Sequence, residues 1–145
     1  MVRPLMILFL LGALQGAVGW IMVASGLTGD AIYVKPTRLA LHFVLALGLL
    51  SYTFWFALQL LVPTDQRIAV PAIRKSVIFI LSLLVLQLAY GAFMAGHKAA
   101  TAAPTWPDVN GQIVPDLLRT GSGIMFWIEN KIAIHFVHRG LAYIL

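Results

Sequence analysis

Cysteine is absent from all 145 residues, which excludes disulfides, thiolate metal sites and cysteine nucleophiles. Charge is scarce: Asp, Glu, Lys and Arg make up 10% of the chain, against about 25% in soluble domains. The ten Lys and Arg leave a formal net charge of +5, but they are scattered at the ends of apolar runs. With no basic stripe and no interleaved aromatic platform, nucleic acid is not the partner this charge implies. The chain also has no Gly-rich phosphate loop and no paired carboxylates inside an apolar run. What it has instead is apolar: 61% of residues are hydrophobic, and the mean hydropathy is +0.92. This describes an all-α integral membrane protein, whose first partner is the lipid bilayer and whose basic residues set topology.

A spanning helix needs about 20 mostly apolar residues. Residues 4–27, 39–62 and 76–96 qualify, and 132–145 begins a fourth. The first run is too long for a signal-peptide core and lacks a small-residue cleavage site, so it is kept as a spanning helix. The link "TGDAIYVKPTR" contains Lys35-Pro36, which breaks the chain, and Thr37, a candidate N-cap. A second link, 63–75, is opened by Pro63. Residues 97–131 form a longer loop whose "APTWPDVNGQIVP" core has three prolines and an Asn-Gly turn signal. A loop of this length in a compact bundle suggests function. Placing Arg3 and the 63–75 link on the cytoplasmic side makes basic residues denser there. The first helix then runs outward, the second inward, the third outward, and the closing segment inward from an external loop. "LQGAVGWIM" from Leu14 and "LQLAYGAFM" from Leu86 share Leu-Gln, a Gly four residues after the Gln, and a Met three further on. Two outward-running helices with one pattern suggest a duplicated unit.

Titratable groups inside a bilayer cost a few kcal/mol each, so they usually face a cavity, a partner or a cofactor. His42, four residues past Arg38, lies about 6 Å below the outer surface, and His138, seven residues past Lys131, about 10 Å below the same surface. Neutral imidazole is a favoured ligand of haem iron, and bundle interiors build cofactor sites from facing helices. Interhelical hydrogen bonding is the competing role for each histidine. Arg38 and Arg139, beside them, are candidates to meet haem propionates through charge-assisted bonds; for Arg38 the plainer reading is an interfacial side chain. Gly12, Gly16 and Gly19 form a small-residue stripe, and Gly91 and Gly96 mark the third helix. They suit either a flat macrocycle or close helix packing. Gln15 and Gln87 read as interhelical glue, and Trp20, Trp55, Trp106 and Trp127 as interfacial anchors.

Taken in order, "LQGAVGWIMVASGL", "RLALHF", "GAFMAG", "TWPDVNGQIVP", Glu129-Asn130 and "HFVHRGLAY" resemble the signatures of haem A synthases, the Cox15/CtaA family, over nearly the whole chain. The resemblance implies an eight-helix membrane enzyme of two similar four-helix halves, each with a pair of haem-ligating histidines. It implies oxidation of the C8 methyl of haem O to a formyl group, giving haem A for cytochrome oxidase. On this reading residues 1–62 are the second half of the N-terminal bundle, 63–75 a cytoplasmic loop, and 76–145 the first half of the C-terminal bundle. His42 becomes the catalytic ligand of the substrate haem, and His138 a ligand of haem b iron. The implied partners are haem O, haem O synthase, oxidase assembly factors and a second copy of the chain. The implied location is the bacterial inner membrane, in preference to the mitochondrial one.

The closing helix is expected to be cut short: fourteen residues after Lys131 give about 21 Å, against a hydrocarbon core of about 30 Å. The family's first two and last two helices, each pair carrying a histidine, are then missing. So is the external cysteine pair of some members. Each haem site is half present, and the segment alone is expected to be inactive. Between His135 and His138, about 60° apart around a helix, the His-Arg pattern of the family selects His138. His135, nearer the polar loop, is expected to have a hydrogen-bonded surface role, and His97 has no assigned one. The competing function is a bis-His membrane cytochrome that only passes electrons. The "TWPDVNG" loop, a cover suited to a large substrate, favours the enzyme. A transporter half would rest on the repeat alone.

Overall fold

The computed structural model describes residues 2–29 and 31–145; Asp30 of the first link lies outside the described residues. Helix α1 spans Val2–Ala24, α2 Pro36–Leu61 and α3 Pro71–Gly96, followed by the short α4 (Leu117–Thr120) and α5 (Gly123–Glu129) and the closing α6 (Lys131–Ile144). Single 3-10 turns stand at Thr64–Gln66 and Ala99–Ala102. The protein is an all-α membrane protein. Helices α1, α2 and α3 are each long and apolar enough to cross a membrane. Their large apolar side chains point outward, with Phe9 76%, Trp20 74% and Leu61 77% exposed. Lipid is the solvent that tolerates such a surface.

The helices pack as a row, α1 on α2, α2 on α3 and α3 on α6. Small side chains make this possible. The buried apolar residues of the helices and the 3-10 turn are Ala40, Ala92, Ala99, Ala133 and Ile134, so backbones approach closely with little side-chain volume between them. A side-chain carbon added at Gly96 would stand 2.8 Å from Pro36 Cβ and 3.0 Å from its Cα. The end of α3 therefore sits directly on the start of α2.

Prolines place the helix starts earlier than the apolar pattern does. Thr37 is not a cap: α2 begins at Pro36, with Lys35 in extended conformation as N-cap and no side-chain cap bond. Likewise α3 begins at Pro71, so Arg74 and Lys75 are its fourth and fifth residues and do not lie in the link. Proline suits the first helical position because its fixed φ is already helical and the missing N–H would have had no partner there. At the other end α1 stops at Ala24. Ser25, buried, donates to the Met22 carbonyl and accepts from Lys35 N–H at 3.0 Å, and Gly26 lies against the Tyr33–Val34 backbone. These contacts fold the first link back tightly.

The segment 97–131 is ordered by its own polar groups. Val109 and Gln112 pair across Asn110 and Gly111, whose φ values of 57° and 86° are those of a tight hairpin turn. The Asn-Gly signal thus forms the turn it suggests. Asn110 N–H donates to Thr105 Oγ1 at 2.7 Å, and Gly111 N–H to Asp108 Oδ1 at 2.8 Å.

Candidate haem-ligand site

Connectivity puts the C-terminal ends of α1 and α3 and the N-terminal ends of α2 and α6 at one end of the row. Gly19 lies five positions before the end of α1, and Gly91 five before the end of α3. At 1.5 Å per residue each is about 7.5 Å in from that end. His42 meets Gly19, and His138 meets Gly91. The two histidines therefore lie at similar depth on the same side.

The repeated Leu-Gln-x-x-x-Gly pattern carries both contacts. In the first copy Gln15 Nε2 donates to the His42 carbonyl at 3.1 Å and lies 3.4 Å from His42 Nε2. In the second, Gln87 Nε2 lies 3.5 Å from His138 Nε2. A carbon added at Gly19 would come within 2.8 Å of His42 Cε1, and one at Gly91 within 3.4 Å of His138 Cε1. Gln and Gly, one turn apart on one helix face, thus cradle an imidazole on the next helix in both copies. The other ring nitrogen, Nδ1, is buried and unpartnered in both histidines, as is Oε1 of both glutamines. A carbon added at Gly12 or Gly16, by contrast, would meet nothing within 4 Å, so of the α1 stripe Gly19 is the one that faces His42.

An apolar cavity of about 350 Å³ opens beside His138, between Leu39 and Phe43 of α2 and Gln87, Leu88, Gly91 and Ala92 of α3. It falls within the range of ligand pockets, roughly 300–1,000 Å³. Among the described residues no group of three or more His, Asp or Glu could hold a bare metal ion. A single imidazole facing apolar walls suits an iron that brings its equatorial nitrogens with it. The donor type thus suits a haem at His138, and the cavity as it stands has room for part of one.

The two arginines are placed differently. Arg38 Nη1 donates at 2.9 Å to the carbonyl of Ile21 in the last turn of α1. Arg139 gives Nη1 to the carbonyls of Thr105 and Asp108 at 3.0 and 2.6 Å, and Nη2 to that of Ala103 at 3.1 Å. It pins the long loop onto α6. The loop also gains Trp106 Nε1 to Tyr143 Oη at 2.7 Å. His135 is buried, only 8% exposed, with Nδ1 unpartnered, and so differs from the surface residue expected at that position. Its neighbours in α6, Ala133 and Ile134, are fully buried, so this stretch faces inward even though it is next to the loop. His97 Nε2 bonds the Ile128 carbonyl at 3.0 Å, tying the end of α3 to α5.

Sequence reasoning missed two features. Asn130 caps α6, its Oδ1 accepting from Ile132 and Ala133 N–H at 3.0 and 3.2 Å. An Asn immediately before an apolar run was the available signal. At the end of the row that holds the histidines, Lys98 stands 3.6 Å over the Tyr33 ring, and its ammonium holds that phenol below its ordinary pKa. No local sequence pattern announces that pair.

Comparison with known proteins gives this arrangement a family. The profile of the COX15-CtaA family, described as cytochrome oxidase assembly protein, matches residues 1–145. The chain is 39% identical over 146 residues to a protein named Heme A synthase from Bradyrhizobium sp. strain ORS 278, and 40% identical over 146 residues to one of that name from Rhodopseudomonas palustris strain BisB18. Each match covers 99% of this chain and 40% of the relative. The chain therefore spans about two fifths of the length of the curated relatives it matches. No solved structure matches it. The chain belongs to the COX15-CtaA family.

Proposed function

We propose that this chain is the central part of a haem A synthase of the bacterial inner membrane, which oxidises the C8 methyl of haem O to the formyl of haem A. The observation that carries the proposal is the duplicated seat: two histidines at one depth, each with a buried, unpartnered ring nitrogen. In this reading His42 ligates the iron of the substrate haem and His138 that of haem b. The bound haem supplies the redox chemistry, and the residues of this chain bind and orient it. Arg38, tied to α1 by one bond, has guanidinium donors to offer a propionate. Arg139 holds the loop over the His138 side and reaches a propionate only by releasing a loop carbonyl. The apolar walls of Leu39, Phe43 and Leu88 keep water from the ring.

The test is pigment extraction from the full-length protein and its variants. The parent should yield haem A or hydroxylated haem O together with haem b; haem b alone would mark an electron-transfer cytochrome. His42→Ala should abolish haem A and leave the haem b spectrum, and an unchanged haem A yield would return His42 to interhelical hydrogen bonding. His138→Ala should remove the low-spin haem b signal and His135→Ala should keep it. The reverse pattern would show the ligand to be His135.

A further inference from the structure

The cavity beside His138 is walled by apolar side chains and one amide, that of Gln87. The imidazole turns Cε1 and Nδ1 toward Gly91, 3.4 and 4.0 Å from where a side-chain carbon there would stand, so Nε2 is the nitrogen left for a metal. Gln87 Nε2 lies 3.5 Å from that nitrogen. A metal–imidazole bond is about 2 Å long, so the amide and an iron cannot hold Nε2 together. We infer that Gln87 is a displaceable cap on His138, a positioning residue that keeps the Nε2 lone pair ready with an amide N–H and gives way when an iron takes that lone pair; the inference rests on the haem-ligand reading of His138.

The counterpart in the repeat fixes which way the amide faces. Gln15 Nε2 donates to the His42 carbonyl at 3.1 Å, and a carbonyl only accepts, so the NH2 end of Gln15 is the end that also meets His42 Nε2 at 3.4 Å. That ring nitrogen must then be the acceptor, with the proton on Nδ1. Gln87 and His138 repeat the contact, nitrogen to nitrogen. A metal at Nε2 needs the same tautomer, so exchanging the amide for an iron breaks one hydrogen bond, forms one coordinate bond and moves no proton. The cap is also weakly held. Its length exceeds the roughly 2.7–3.2 Å of ordinary N–H···O bonds, and the position leaves Gln87 Oε1 buried without a partner. Gln15, held by the His42 carbonyl as well, is the firmer of the two.

A cap and a brace between helices predict opposite signs. In the full-length protein freed of haem, Gln87→Ala removes the competitor and should tighten haem binding at His138 by about two- to tenfold, the worth of one hydrogen bond. Gln15→Ala should leave that site unchanged. Haem titration followed by the low-spin spectrum reads both. Nitrogen-15 shifts of the parent imidazole should show His138 as the Nδ1–H tautomer, and Gln87→Leu, which has no donor, should admit the Nε2–H form. Weaker or unchanged haem binding in Gln87→Ala, with an unfolding midpoint equal to the parent's, would overturn the cap, as would a parent His138 protonated on Nε2. Should Gln87→Ala prove destabilised, the parent tautomer alone decides. The control is His138→Ala. If it loses haem b while Gln87→Ala fails to tighten binding, only the cap fails. If it keeps haem b, the ligand reading fails and the cap fails with it.

Discussion

The two imidazole seats are alike at their centre and different at their rim. Gln15, Gly19 and His42 reproduce the contacts of Gln87, Gly91 and His138. The first is tighter, with 2.8 Å of room beside the ring against 3.4 Å, and Gln15 also grips the His42 carbonyl. The arginines differ more. Arg38 precedes its histidine by one helical turn and makes one bond to a neighbouring helix, whereas Arg139 follows its histidine directly and makes three to a loop. The first seat is closed by a short folded link, the second by a long one that needs its own anchor. The repeat thus keeps one Gln–Gly–His geometry while the connection above each copy differs.

The largest effect should come from removing that anchor. Arg139→Ala deletes three charge-assisted bonds and should cost the local order of residues 103–112 about 2–3 kcal/mol, below a simple sum because water can replace the partners. Amide exchange in this segment of the full-length protein should rise accordingly. Arg38→Ala, losing one exposed bond, should cost about 1 kcal/mol or less and leave the loop unchanged. Equal opening of both connections would erase the distinction between the two rims.

Next in size is the difference between the two glycines. At Gly19 an alanine would press on the far end of the His42 side chain, so the ring must turn while the backbone stays. Gly19→Ala should therefore displace His42 with a change in unfolding stability of about 1 kcal/mol or less, and Gly91→Ala should be milder at His138. Gly96→Ala is the reference, since there the added carbon meets Pro36 at its backbone; α2 and α3 must part, at about 1–3 kcal/mol. Denaturation midpoints together with the spectrum of the haem each histidine is proposed to hold separate ring displacement from helix displacement. A larger effect from Gly91→Ala would reverse the ranking of the two seats.

The centre of each seat was legible in the sequence and the rim was not, for a physical reason. The Leu-Gln-x-x-x-Gly repeat is a helix-face pattern, and a periodicity of 3.6 puts Gln and Gly on one face before any tertiary structure is known. Depth below a surface follows from the rise per residue, so His42 and His138 could be levelled from their distances to Arg38 and Lys131. Where Arg139 points depends on a loop folding back across 31 to 36 residues, which no local pattern encodes. Burial of His135 is of the same kind, set by packing around α6 and not by nearness to polar residues. Helix starts failed differently. Pro36 reads as a break and Pro71 falls inside the 63–75 link, though at the first helical position proline begins a helix.

The smallest effect belongs to the loop above the second seat and sharpens the contrast of rims by pH. Asp108 is held below the ordinary carboxylate range by the Thr105 hydroxyl, then by Gly111 N–H, with a smaller contribution from the charge of Arg139. A carboxyl whose pKa is depressed by folding adds stability that is fully present above its unfolded pKa and is lost as pH falls through the folded one. The turn should therefore be indifferent to pH from about 8 down to about 5 and loosen only below about 4. Because the group is exposed, the effect should be small. The amide resonance of Gly111, whose N–H donates to Asp108 Oδ1 at 2.8 Å, should report this ionisation directly. Its titration midpoint should lie below that of an unstructured aspartate, and Arg139→Ala should move it upward toward the ordinary value. A midpoint at the ordinary value in the parent would mean that the turn gains nothing from the carboxylate charge. The order of the loop would then rest on Arg139, the Val109–Gln112 pairing and the bonds of Thr105 and Trp106.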